Sequence, residues 1–261
     1  MAATQTVTTI EACPAPRLLS LGDAAWTLEF GATVAPALTE RVLGLCDALD
    51  ALHASGELDG VVEWVPTFRS VTVHFDPLRA DAVPLGRRLL DLARSSGSRG
   101  ARGRRWRLPV CFALDCAPDL AGVAAARGMT TDAVVDLLTR AEFPVAMLGF
   151  LPGFPYLGGL PEALEMPRLA SPRKRVPARS VAIAGRMCAA YPWESPGGWH
   201  LVGRTPVRLF DAANAERPAL LAPGDVVRWR AIDRAEYDLL DGRCAAGGVD
   251  PTLFHDEDPT A

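Results

Sequence analysis

Gly149-Phe150-Leu151-Pro152-Gly153-Phe154-Pro155-Tyr156-Leu157-Gly158-Gly159-Leu160 opens a glycine- and proline-rich segment that runs to Asp211. Ser195-Pro196-Gly197-Gly198-Trp199 and Gly203-Arg204-Thr205-Pro206 lie further along it. Glycine reaches φ > 0 and lets a ligand approach the backbone. Proline fixes φ and removes a donor. Rigid aromatics and arginines stand between them. A segment that only joined two strands would need none of this, and long ordered loops in compact domains tend to carry function.

Outward from this segment the pattern is one of short strands. Residues 143–150 read as the strand that delivers it, and 180–184, 199–203, 207–210 and 226–231 as further strands. Ala222-Pro223-Gly224-Asp225 reads as the turn before the last. Residues 106–112 form an opening strand, followed by short helices over 119–127 and 131–141, the second capped by Thr130. Short strands with two helices predict a β-barrel-like α+β domain over 106–232. Residues 233–261 are acidic and read as a peripheral C-terminal tail.

Residues 96–105 hold glycine, serine and arginine with no apolar side chain larger than alanine, which is linker chemistry. The arginines there read as part of a solvated interdomain loop. Residues 14–95 form a separate domain. Strands are expected over 17–22 and 25–30, around a turn at Gly22-Asp23, and over 61–65 and 70–75 as a hairpin. Leu38, Val42, Leu45, Leu49 and Leu52 recur at helical spacing over 35–53, with Thr33 as the expected cap and Pro36 in the first turn. Asp81 caps a second helix over 82–94. The order ββαββα predicts two helices on one face of an antiparallel sheet.

Composition narrows the function. The chain has 261 residues, 49% hydrophobic and 22% charged, which is ordinary globular usage. A net charge of −4 does not suggest nucleic-acid binding. No apolar run is long enough to span a membrane, and residues 1–13 read as a short disordered tail rather than a secretory signal. Six cysteines without a CxxC pair predict free, mostly buried thiols in a reducing cytoplasm. Four scattered histidines predict no metal site.

The motifs at 150–160 and 195–206 resemble the family of prokaryotic 5-oxoprolinase B subunits. That family is also called allophanate hydrolase subunit 1, KipI, or carboxyltransferase subdomain C and D. The resemblance runs from about residue 17 to 232. It implies a ferredoxin-like N-terminal domain followed by a cyclophilin-like β-barrel domain. It also implies two partners in a cytoplasmic complex, homologues of the cyclophilin-like C subunit and of the A subunit. The implied activity is ATP-dependent amidohydrolysis, the opening of the lactam of 5-oxo-L-proline to L-glutamate. The family supports two alternatives, a kinase-inhibitor-like regulatory binding protein and a carboxyltransferase component of a urea or allophanate pathway. ATP is the implied cofactor; an accompanying Mg is not legible in the residues. The chain has no Walker A loop and no biotin-lysine signature, so it does not carry biotin itself.

A lactam is a poor electrophile, and ATP makes its oxygen a leaving group. A protein doing this must hold negative oxygens and a neutral ring together. Arginine forks suit the first, and backbone N–H groups in glycine turns suit developing anions. Arg204, Arg173 and Arg175, with Arg168 in the same basic run, are candidates for carboxylate or phosphate. Gly153, Gly197 and Gly198 permit close backbone approach; Tyr156 and Ser195 offer hydroxyls; Tyr156 and Trp199 can wall a ring. Glu194 and His200, with Arg204, are the candidate catalytic set. Against these stand blander readings. The basic run can be a solvated turn or a docking face for the C subunit. Arg204 can pair with Asp211, and His200 can be a surface or packing residue.

The segment after Pro177 departs from the family pattern. Arg179 and Arg186 stand where glycines are usual, as do Ala182 and Ala189. Met187 replaces a glutamine and Cys188 a threonine, while Leu138, Phe143 and Ala146 replace a histidine and two tyrosines. Lost polar partners weaken discrimination for a hydrogen-bonding substrate. The expectation is a more apolar substrate than 5-oxoproline, or catalytic groups supplied by a partner.

Overall fold

The structure is a computed structural model and describes residues 15–100, 103–247 and 250–256. The chain divides between Ser98 and Arg99 into two compact units. The expected tail at 1–13, with Cys13, lies outside the described residues.

In the first unit β1 (Arg17–Ser20) and β2 (Ala25–Glu29) form an antiparallel hairpin. Its turn holds Gly22 at φ 66°. Helix α1 (Pro36–Ala54) buries Leu38, Val42, Leu45 and Leu49, as their spacing predicts. Thr33 does not cap it. The cap position is Ala35, which makes no side-chain bond, and the helix starts on Pro36, whose missing N–H leaves one orphan donor fewer. Strands β3 (Val61–Pro66) and β4 (Ser70–Phe75) form a second hairpin. Helix α2 (Ala82–Ser95) is capped by the Asp81 carboxylate, which accepts from the Val83 N–H at 3.1 Å. The sheet order is β1-β2-β4-β3, antiparallel throughout. Val71 and Val73 alternate inward from β4 and meet Leu45 and Leu49 of α1 and Leu89 of α2 in one core.

The second unit is built on a barrel. Its elements begin with β5 (Arg105–Cys111), α3 (Leu120–Ala126), α4 (Thr131–Arg140), β6 (Phe143–Leu148) and β7 (Pro155–Leu157). Then come β8 (Arg173–Val176), β9 (Ser180–Ala184), β10 (Met187–Ala190), β11 (Ser195–Gly197), β12 (His200–Arg204) and β13 (Val226–Ile232). Seven strands close in the order β10-β7-β6-β13-β5-β12-β9, and β8 and β11 make a separate two-stranded ribbon. The fold is thus mixed α and β around a closed barrel. Residues 207–210, expected as a strand, are irregular apart from one bridge between Phe210 and Ala219.

Among the described strands only β5 and β13 pair in parallel, over seven residues from Arg105↔Val226 to Cys111↔Ile232. No short turn can set the register of a parallel pair. Asp225 does so here. Its carboxylate accepts from the Arg104 N–H at 2.8 Å, the Ala222 N–H at 3.0 Å and the Trp106 Nε1–H at 2.9 Å, and pairs with the Arg104 guanidinium at 3.1 Å. The arginines at the end of the expected linker are therefore not solvated loop residues. Arg104 serves Asp225, and Arg105 opens β5 and pairs with Glu142.

The expected C-terminal tail is also structured in part. Helix α5 (Arg234–Ala245) follows β13 at once, capped by Asp233, and buries Tyr237 and Cys244. A 3₁₀ turn, Pro251–Phe254, returns Phe254 to the barrel core, and His255 bridges to Trp106. Arg179 fixes α5 from the barrel side. It is left-handed at φ 67°, pairs with Asp241, and donates to the Pro206 carbonyl at 3.0 Å. These ties hold a backbone conformation that disfavours any side chain. No described helix is long and apolar enough to cross a membrane.

Candidate functional site

β9 and β10 are buried on both faces, so they read as continuous apolar runs rather than alternating ones. Val181, Ile183, Cys188 and Ala190 fill the barrel. Ala182, Ala184, Ala189 and Tyr191 belong to a second cluster on the other face. Small side chains there leave room for rings. Phe154, Tyr156, Tyr191 and Trp199 occupy it. Phe154 is the hub, with centroids 5.0 Å from Tyr156, 5.0 Å from Tyr191 and 6.4 Å from Trp199. The Tyr191 and Trp199 contacts are edge-to-face, the arrangement that ring quadrupoles favour.

The glycines explain how the rings are delivered. Gly153 sits at φ 73°, and a Cβ there would meet Phe210 Cβ at 2.8 Å. Its role is to let the β6–β7 turn pack before Phe154. A Cβ on Gly197 would collide with the Tyr191 hydroxyl. That hydroxyl therefore rests on bare backbone of β11. Gly198 has ordinary room beside Pro172, and its carbonyl accepts from the Leu169 N–H at 2.7 Å. Ser195 is buried; its hydroxyl reaches only the Pro196 carbonyl, at 3.3 Å.

The basic run separates into different tasks. Arg168 lies over the Trp199 ring, its Cζ 5.9 Å from the centroid, and makes no ion pair among the described residues. Arg173 is committed: it bonds the Asp119 carboxylate at 2.6 Å and the Trp199 carbonyl at 3.4 Å. Asp119 precedes α3 without capping it; its other oxygen accepts from the Leu201 N–H at 2.7 Å. Arg173 and Asp119 together lock β8 to β12. Arg175 and Glu194 form an exposed bidentate pair at 2.8 and 3.0 Å. Glu194 is thus the ion-pair partner of Arg175. His200 Nε2 bonds the Pro167 carbonyl at 2.9 Å, so that nitrogen carries the proton and the ring tethers a loop.

Arg204 stands apart from the ring cluster. It lies five residues beyond Trp199 on β12, about 16 Å at the usual rise of a strand. Its Nε donates to the Ala178 carbonyl at 3.0 Å, not to Asp211. Its charge bears on the Tyr237 phenol of α5. The twelve predicted residues therefore do not form one site. The structure gathers Tyr156, Arg168, Trp199, Gly197 and Gly153, with Arg173 and Ser195 nearby; Gly198 and His200 bond the loop at Leu169 and Pro167, and Arg204 and the Arg175–Glu194 pair are left out.

The motifs do not single out Tyr191. Its signal in the sequence is the Tyr191-Pro192 step after the altered segment. Burial pushes its phenol up to about 12, with a smaller contribution from Tyr156; the Arg168 and Arg173 charges oppose this. Burial also pushes Tyr156 up, against the Arg168 charge. Both phenols stay neutral O–H donors near neutral pH. Among the departures, Ala182, Met187 and Ala189 face this cluster, whereas Cys188, Leu138 and Phe143 lie in the barrel core. The floor of the site is apolar where a glutamine would have been. A cavity of about 360 Å³ lies elsewhere, lined by Trp106, Phe210, Arg217 and His255 among others, and includes none of the predicted site residues.

The family described as carboxyltransferase domain, subdomain C and D, matches residues 16–221. A Bacillus subtilis (strain 168) protein named as the B subunit of 5-oxoprolinase is 35% identical over 231 residues, covering 83% of this chain and 93% of that protein. The crystal structure of TTHA0988 superposes with a TM-score of 0.68 at 36% identity. That match covers 80% of this chain but 40% of the TTHA0988 chain, so this chain spans less than half of that protein. The Kluyveromyces lactis urea amidolyase matches with a TM-score of 0.71 over 92% of this chain and 16% of its own; at 22% identity this likeness shows the fold alone. By the extent of these matches, the chain belongs to the carboxyltransferase subdomain C and D family, which includes the 5-oxoprolinase B subunits.

Proposed function

We propose that this chain is the B-type component of an ATP-dependent amidohydrolase of the 5-oxoprolinase type, working with homologues of the C and A subunits. Its own share is to hold the neutral ring of a lactam. In this reading the N-terminal unit is ferredoxin-like with the last strand of that fold moved to the front, consistent with the order β1-β2-β4-β3. The barrel is cyclophilin-like.

The observation that carries the reading is Arg168. It is a cation with no ion-pair partner among the described residues, set over Trp199 beside two neutral phenols. A lactam bearing a carboxylate fits that set. The lactam sits at the exposed edge of the cluster, with the buried rings of Trp199 and Phe154 as the floor beneath; the carboxylate meets the guanidinium, and a phenol O–H donates to the amide oxygen. Ring opening breaks the acyl C–N bond, adds the oxygen of water to the carbonyl carbon and leaves a proton on the amine. A donor at the amide oxygen stabilises the charge that develops there.

The reaction type calls for ATP, and the residues present do not fit a triphosphate. Arg173 and Arg175 are paired, leaving Arg168 and the exposed Lys174 of the run, and no glycine-rich phosphate loop opens a helix. In this reading the nucleotide belongs to the companion chains.

Co-expressed with the C-type and A-type homologues of its own organism, the chain should support ADP release that depends on 5-oxo-L-proline and runs in step with glutamate. A stable complex without lactam-dependent turnover would point to another amide. Dependence on a biotinyl protein and bicarbonate would replace the reading with a carboxyltransferase. Lack of any complex would make the chain a regulatory binding protein. In the active complex Glu194→Gln should leave turnover and melting temperature near wild type, because it removes only an exposed pair. A hundredfold loss of turnover would restore Glu194 as acid or base.

A further inference from the structure

The cavity of about 360 Å³ in the second unit lies away from the ring cluster and is a different kind of place. One wall is the segment between β12 and β13. The other is the C-terminal end of α5 with the 3₁₀ turn Pro251–Phe254. That second wall lies beyond residue 221, where the family match ends, so membership of the family does not account for the cavity. Small-molecule sites run from about 300 to 1,000 Å³, with an apolar lining and a few placed polar groups.

The floor is apolar. Trp106, Leu209, Leu220 and Phe254 line it and are buried. His255 stands edge-on to the Trp106 ring at 4.4 Å and closes one side. The mouth is charged, and its charges are not equally spent. Arg208 and Arg217 line it, both exposed. Arg208 gives one bond to the Ala245 carbonyl at 3.2 Å and Arg217 one to the Leu220 carbonyl at 3.3 Å. Neither makes an ion pair among the described residues, so each keeps guanidinium donors to spare. Asp211 and Asp250 also line the cavity. Each of these carboxylates accepts a backbone N–H of its own loop, from Ala213 at 3.0 Å and from Thr252 at 2.9 Å.

The cations are therefore what the cavity has left to offer. A carboxylate presents two oxygens that match a guanidinium fork. A phosphate dianion suits the place less, because the two aspartates repel its second charge. The Arg217 charge also opposes the upward push of burial on Asp225, the partner of the Trp106 indole, so this guanidinium bears on the floor as well as on the mouth.

We propose that this cavity is a small-molecule site separate from the ring cluster, for a monocarboxylate with an apolar body that lies on Trp106 and Phe254 while Arg208 and Arg217 take its carboxylate. The site stands whether or not the chain opens a lactam.

Calorimetric titration of the full chain with 3-phenylpropionate and with hexanoate tests this. At least one acid should bind saturably, in or below the low-millimolar range expected for so small a ligand. It should also raise the melting temperature as its concentration rises. Arg208→Ala and Arg217→Ala should each weaken that binding about tenfold, the worth of a charged hydrogen bond. The uncharged 3-phenylpropanamide should bind at least tenfold more weakly than the acid. Both arginines are exposed, so without a probe the variants should melt as wild type does. Arg140→Ala, which removes an exposed arginine of α4, should bind as wild type. No saturable binding of either acid, or binding that both cavity variants leave unchanged, would overturn the site. Equal binding of acid and amide would overturn its assignment to a carboxylate, and so would tighter binding of inorganic phosphate than of either acid.

Discussion

Arg168→Ala should lower kcat/KM for the lactam about 10- to 100-fold in the assembled enzyme, while the protein stays folded. A hydrogen bond to a charged group is worth about 1.5–3 kcal/mol, which spans that range. The loss should appear mainly as a higher KM. The substrate carboxylate is present in both ground state and transition state, so removing its partner removes uniform binding. Stability should barely move, because Arg168 is exposed and its described contact is the face of Trp199. Arg168→Lys should recover part of the loss, keeping the charge without the planar fork. Arg173→Ala is the contrasting case. It leaves the Asp119 carboxylate without its 2.6 Å partner and should lower activity and melting temperature together. Steady-state kinetics with a thermal melt on each variant separate the two. An Arg168→Ala enzyme with unchanged KM would remove this residue from substrate binding.

The difference between Arg168 and its neighbours was not legible in the sequence. Arg168, Arg173 and Arg175 look alike there, as one basic run. What separates them is partners 54 and 19 residues away, Asp119, tied to β12, and Glu194, brought in by the β8–β11 ribbon. Strands of three or four residues such as β7 and β11 are too short to show a period of two, and so the ribbon was invisible. The α1 and α2 stripes were legible because their burial repeats over several turns. Helix α5 was not, since it buries only Tyr237 and Cys244 among charged residues. Arg204 illustrates a different limit. Its motif marked a strand end correctly, but which end of the barrel faces the rings depends on closure, a property of the whole domain.

Asp225→Ala should be the most damaging single substitution for stability, at about 3–4 kcal/mol, or roughly 6–16 °C in melting temperature for a unit of this size. The side chain is 3% exposed and serves three N–H donors and a guanidinium. Alanine strands the buried Trp106 indole N–H and the two backbone donors that align β5 with β13. The Arg104 guanidinium, part-buried over Trp106, loses its ion-pair partner as well. Burial, the dominant effect, pushes the Asp225 carboxyl above its ordinary value, with the Trp106 N–H pulling it back. Burying the charge therefore costs stability, and the hydrogen bonds that the two carboxylate oxygens accept offset that cost. A carboxyl raised on folding contributes stability that is present below its unfolded pKa and lost as pH rises through its folded one. Asp225→Asn keeps one oxygen and does not titrate, so it should recover about half of the alanine loss and flatten that decline. Thermal melts of wild type and both variants from about pH 4 to 7 test this. Equal damage from asparagine and alanine at every pH would show instead that the charge on Asp225, paired with Arg104, holds the parallel strands together.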